Sequence, residues 1–213
     1  MKMFSGIRPN EAAQIPEPPI ARFLFADTRF MPFVWLIVRL YVGYEWLVAG
    51  LEKLFGRDFS IGPTFGEPVK GGAWVFTGHD GVALQGFVNG ALAQATGAHP
   101  AVQGWYASFL QGFVLPNAGW FSYVVTFGEV LVALGLIFGV LTGIAAFFGV
   151  FMNLNFMLAG AVSINPIIGT LAIFLFMAWR IAGYYGVDRY LLPALGTPWT
   201  GALTHKPTVA HAV

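Results

Sequence analysis

The 213-residue sequence contains no cysteine. That excludes disulfides, thiolate metal sites, iron–sulfur clusters, c-type haem attachment and cysteine-persulfide chemistry. Charge is also scarce: Asp, Glu, Lys and Arg make up 10% of the chain, where a soluble domain carries about 25%. With 57% hydrophobic residues and a mean hydropathy of +0.69, this deficit makes lipid the solvent for much of the surface. The four histidines, His79, His99, His205 and His211, all lie outside the long apolar runs. A b-type haem held between two helix histidines is therefore not expected, and no metal site is. The net charge is +1 and no basic run points to nucleic acid. Met1 to Thr28 lacks the apolar core of a signal peptide and holds Pro9, Pro16, Pro18 and Pro19, so the first span is expected to direct insertion.

Apolar runs of spanning length are what the chain has in abundance. Phe30–Leu54, Gly119–Val140, Gly143–Val162 and Pro166–Gly186 each suffice for a crossing helix. They predict an all-α polytopic membrane protein, a four-transmembrane-helix bundle. The short turns Leu141-Thr142 and Ser163-Ile164-Asn165 make the last three helices antiparallel neighbours. Lys2, Arg8, Arg22 and Arg29 precede the first span, and Arg180, Arg189 and Lys206 lie at the other end; the long loop has Arg57 and Lys70, with Lys53 at its edge. This asymmetry places both termini in the cytoplasm. The organisation is then a cytoplasmic segment 1–29, a membrane domain 30–190 with an outer loop at about 55–118, and a cytoplasmic tail 191–213. Within the loop, Val102, Trp105, Tyr106, Phe109, Leu110 and Phe113 fall on one helical face. That pattern predicts an interfacial helix ended by Pro116-Asn117, with a weaker helix over Val82–Ala95 and irregular chain from Phe55 to Asp80. Such a loop either caps the outer mouth of the bundle or is a plain amphipathic connector.

The charges inside the apolar runs carry the functional question. Glu129 sits near the middle of the second run, and a carboxylate there costs roughly 2.5–3.5 kcal/mol on insertion scales. Arg39, counted from the inner end of the first run, lies at a similar depth and is the expected partner. That pair either fixes helix register or takes part in chemistry. Glu45 has no basic residue evident at its depth, so it is the foremost candidate for a proton-accepting or headgroup-binding carboxylate. The plainer alternative is that it bonds a tyrosine hydroxyl or a loop amide. Asn153 and Asn155 point to different faces of the third run, to bond across helices or to contact a ligand carbonyl. Gly43 and Gly50 on the first run, and Gly135, Gly139 and Gly143, are expected to allow close helix approach.

These residues resemble the DoxX/DoxD family, small four-helix membrane proteins that include the membrane subunit of thiosulfate:quinone oxidoreductases. The match runs through Arg39-Leu-Tyr-Val-Gly43-Tyr-Glu-Trp46-Leu-Val-Ala-Gly50-Leu-Glu-Lys53-Leu54, Gly128-Glu129, Met152 to Gly160, Ala178-Trp-Arg180 and Asp188 to Pro193. The resemblance implies a quinone-linked role in the plasma membrane of a bacterium or archaeon. Tyr41, Tyr44 and Trp46 beside Glu45, roofed by the helix with Trp105, would then form a quinone site, with Glu45, Glu129 and Arg39 as its reactive charges. Thiosulfate would need cations such as Lys53, Arg57, Lys70 and His79. The absence of cysteine implies that another membrane or extracytoplasmic subunit contributes the redox centre. Two other readings remain open: a non-catalytic accessory subunit of a respiratory or photosynthetic complex, and a small-solute or proton pathway.

Overall fold

The computed structural model describes residues 18–76 and 81–196. Their regular structure is helical, apart from one antiparallel bridge between Arg57 and Pro68. His79, Lys2, Arg8, Lys206 and Thr204 lie outside the described residues.

The first helix, α1 (Pro19–Ala26), is short and amphipathic. It docks on the start of α2 (Met31–Phe55) by a hydrogen bond from Trp35 Nε1 to the Leu24 carbonyl, 2.7 Å, and by stacking of Phe25 on Trp35. Asp27 caps α2: its carboxylate accepts from the Phe30 amide at 3.1 Å, which holds it below the usual carboxylate range.

Helix α2 runs 25 residues and pairs with α5 (Ala118–Phe138). Two glycines set the register. A Cβ on Gly43 would lie 2.8 Å from Ile137, and one on Gly50 would lie 2.8 Å from Val130. The seven-residue step on α2 matches a seven-residue step back along α5, so the helices are antiparallel at close approach. Helix α6 (Thr142–Leu158) packs between α5 and α7 (Asn165–Met177), and α7 returns to α2. The four helices close a ring around Val42, Trp46, Leu136, Ala146, Ala172 and Leu175. Two short helices, α8 (Trp179–Ala182) and α9 (Asp188–Ala194), finish the described chain.

The outer segment contributes α3 (Val82–Ala93) and α4 (Gly104–Phe109). Leu84, Val88, Val102, Tyr106, Leu110 and Val114 bury a second, smaller core between them. Here the structure corrects the expected interfacial helix. Helix α4 passes through a π-turn (Leu110–Val114) and a 3-10 turn (Leu115–Asn117) directly into α5, without stopping at Pro116. The proline removes one backbone donor, and the altered hydrogen-bond spacing around it keeps the helix continuous.

Two helices, α2 and the 35-residue run Gly104–Phe138, are long and apolar enough to cross a membrane; α6 and α7 are shorter apolar helices. The last apolar run is interrupted at Ala178, and the third stops at Leu158, before Gly160 turns the chain with φ 80°. The ring's outer surface is apolar, with Leu131, Phe147, Phe151, Ile173 and Phe176 exposed.

Candidate functional site

Register decides which charges meet. Gly50 faces Glu129 and Val130, so Glu129 lies within a turn of Lys53, not of Arg39. Lys53 Nζ donates to Glu129 Oε1 at 2.8 Å. Glu129 is fully buried, and its Oε2 has no hydrogen-bond partner among the described residues. The ammonium also lies 5.1 Å from the Trp74 ring centroid and 5.3 Å from that of Phe156. Trp74 is fixed there by its backbone amide, which donates to the Lys53 carbonyl at 2.7 Å. Lys53 is thus held by a carboxylate and two aromatic rings.

Arg39 does not pair with Glu129, which corrects the expected ion pair. It is buried near the other end of α5, where Nη1 and Nη2 donate to the carbonyls of Ala182 and Tyr185 at 3.3 and 2.9 Å. The Asp188 carboxylate supplies its nearby negative charge while accepting from the Leu141 and Thr142 amides at 2.6 and 2.7 Å, capping α6. Equal depth from the inner ends was the wrong measure, because α2 begins well before α5 ends. Gly139 (φ 64°) closes α5 against the Arg39 guanidinium, where any Cβ would collide.

Trp74 and Phe156 are also walls of a cavity of about 770 Å³. It opens between α5, α6 and the outer helices α3 and α4, and is lined by Phe87, Tyr106, Phe121, Phe148, Phe151 and Met152 among others. Its polar points are few. The Tyr106 hydroxyl donates to Asn155, 3.0 Å from Oδ1 and 3.1 Å from the backbone carbonyl oxygen. Gly128, beside Glu129, completes the wall, so the ion pair sits one side chain behind an aromatic surface. A flat apolar molecule would find here ring faces, a hydroxyl and an amide, with the charge pair behind the wall. A second cavity, of about 840 Å³, lies at the opposite end, with Arg180 and Asp188 on its wall.

The remaining sequence candidates scatter. Glu45 faces away from this cavity and is hydrogen-bonded by the Tyr41 hydroxyl one turn earlier, the plainer of its two expected roles. Tyr44 accepts from the Ile61 amide at 2.7 Å. Trp46 points the other way, into the core, against Phe156. Trp105 is 65% exposed and does not line the cavity with Glu45. Asn153 is buried and donates to Asn165 at 3.2 Å, a packing role, while Asn155 reaches the cavity. Arg57 turns outward to the Gly66 carbonyl and Lys70 is exposed, so the described cations do not converge on an anion site. Sequence reasoning left Trp74, Phe156 and Asp188 outside the site: Trp74 lies in Gly- and Pro-rich chain without periodicity, and Phe156 looks like any apolar helix residue.

A family model described as DoxX matches residues 34–164, more than half of the chain. No curated protein and no solved structure matches it. The matched segment contains Arg39, Lys53, Glu129, Tyr106 and Asn155.

Proposed function

The chain belongs to the DoxX family of membrane proteins, and from that premise we propose that it is the membrane subunit of a quinone-linked oxidoreductase, with the quinone bound in the cavity between α5, α6 and the outer helices. The observation that carries this reading is a cavity of about 770 Å³ with aromatic walls, backed by the Lys53–Glu129 pair. Lipophilic ligands take apolar slots with a small number of placed polar groups. Tyr106 and Asn155 would orient a headgroup carbonyl. Glu129, with one oxygen unpartnered, would relay a proton toward the quinone as the donor's electrons reduce it, and Lys53 would stabilise the carboxylate left behind. The quinone supplies the two-electron chemistry; the donor subunit supplies the electrons.

The test is quinone retention. Protein extracted in mild detergent with a short-chain quinone should carry it through gel filtration, read by absorbance after organic extraction. Gly128→Leu would push a side chain toward Met152 at the wall, and Tyr106→Phe would remove the hydroxyl. Tyr106→Phe should weaken binding by about fivefold to tenfold, the worth of one hydrogen bond. No retention by the unaltered protein, or equal retention by Gly128→Leu, refutes the reading.

The same proposal includes topology. All four helices of the ring cross the plasma membrane, with both termini cytoplasmic and residues 55–118 outside, following the Lys and Arg asymmetry. Lys70→Cys should react with an impermeant thiol reagent in intact cells and Thr204→Cys should not. Labelling of Thr204→Cys from outside overturns the orientation.

A further inference from the structure

Helix α2 turns one face away from the ring, and that face is not the plain apolar surface lipid requires. Ile37, Leu40 and Tyr41 lie on it exposed, with Glu45 half-buried beyond them. Tyr41 hydrogen-bonds Glu45, but no Lys or Arg among the described residues forms an ion pair with it. Tyr44 is the fourteenth residue of a 25-residue helix. Wherever a hydrocarbon core of about 30 Å falls along that helix, Glu45 sits at least about 9 Å inside it.

A second feature covers the same face. After α2 the chain turns at Gly56 and folds back along the helix as a loop closed by the Arg57–Pro68 bridge. Its tip reaches Tyr44, where the Ile61 amide donates to the hydroxyl at 2.7 Å. Higher up, the carboxyl groups of Glu52 and Asp58 share a hydrogen bond, and the Ser60 and Thr64 hydroxyls hold Asp58 below the usual carboxylate range. The tip is open outward: Ile61 is 88% exposed, and Gly62, Pro63 and Thr64 are exposed beside it. Irregular backbone at membrane depth is tolerated where protein or a wet cavity covers it, not lipid.

From these two observations we propose that the outward face of α2, from Ile37 to Val48 with the tip of the folded-back loop, is the docking surface for a transmembrane helix of a different polypeptide that presents a basic side chain to Glu45. The acid selects the partner's charge. The partner's helix also covers the exposed loop tip at Ile61 to Thr64. A second copy of this chain is the poorer occupant, because a two-fold contact across α2 sets Glu45 against Glu45. The inference rests on α2 crossing the bilayer and is independent of the quinone reading: no residue of α2 lines the cavity, so either can fail alone.

The experiment is photo-cross-linking in native membranes with the full chain. A photoreactive residue replaces Val48 or Ile61, and Ile167 or Ile173, exposed on α7, as a control. Val48 and Ile61 should give a protein adduct of one defined mass; the controls should give lipid adducts. The cross-linked peptide should lie in a transmembrane segment containing Lys or Arg. Glu45→Gln should lower the adduct yield by about tenfold or more. Glu45→Arg should abolish it, and replacing the partner's basic residue with Glu should restore it. Lipid adducts alone, an adduct of two copies of this chain, a partner segment without a basic residue, or a yield indifferent to Glu45→Gln would each overturn the proposal.

Discussion

Replacing Glu129 with Ala should lower the stability of the detergent-solubilised protein by about 3–5 kcal/mol, because removal of one partner leaves the other charge uncompensated in the interior. The carboxylate is fully buried and the ammonium is 18% exposed, so the two partners are not equivalent. Lys53→Met should cost less than the loss of Glu129's side chain, since a carboxyl deprived of its counter-ion can retain a proton. The double variant Lys53→Met/Glu129→Gln should recover more than half of the summed single losses. Arg39→Met combined with Glu129→Gln should instead be additive, since the helix register separates those side chains by about 18 Å along the axis. Denaturant titration of these variants together with the single variants Glu129→Gln and Arg39→Met decides this. Additivity at Lys53 and Glu129, or coupling above about 1 kcal/mol between Arg39 and Glu129, contradicts the observed pairing.

The second large effect is expected at Asp188. Its carboxylate is fully buried and supplies both N-terminal amides of α6 with an acceptor, while facing the charge of Arg39. The backbone reinforces the contact: the amides of Val187 and Asp188 donate to the carbonyls of Phe138 and Gly139, tying the start of α9 to the end of α5. Asp188→Ala removes a helix cap, worth about 0.5–2 kcal/mol, and also the anion beside a guanidinium that cannot shed its proton. The combined loss should be about 2–4 kcal/mol. Asp188→Asn keeps one acceptor and should retain part of the capping. Hydrogen exchange at Leu141 and Thr142 should accelerate in Asp188→Ala while amides in the middle of α5 stay protected. An unchanged unfolding midpoint would show that the cap and the counter-charge contribute little.

The helices and the family were written in local sequence. Apolar run length predicted four of the helices to within a few residues at most ends, because hydropathy and helix hydrogen bonding are local properties. The Arg39-to-Leu54 segment and Gly128-Glu129 carried the family resemblance that the match over residues 34–164 bears out. The presence of buried charge was equally legible, since Arg39 and Glu129 stand in apolar surroundings at any register. Close approach at Gly43 and Gly50 followed from the spacing of small residues on one stripe.

Pairing was not legible. Depth counted from each helix's own end assumed that the ends are level, whereas α2 and α5 are staggered by the glycine contacts. A shift of that kind leaves every sequence pattern intact and exchanges every partner: Glu129 passes from Arg39 to Lys53, and Arg39 passes to the Ala182 and Tyr185 carbonyls. The cavity was hidden for a related reason. Trp74 from irregular chain, Tyr106 from the outer helix and Phe156 from α6 converge only because the outer segment folds back over the ring. Sequence determined which side chains had to find partners inside a membrane; the axial offset of the helices and the return path of the outer segment decided which ones they found, since both are set by packing between residues far apart in the chain.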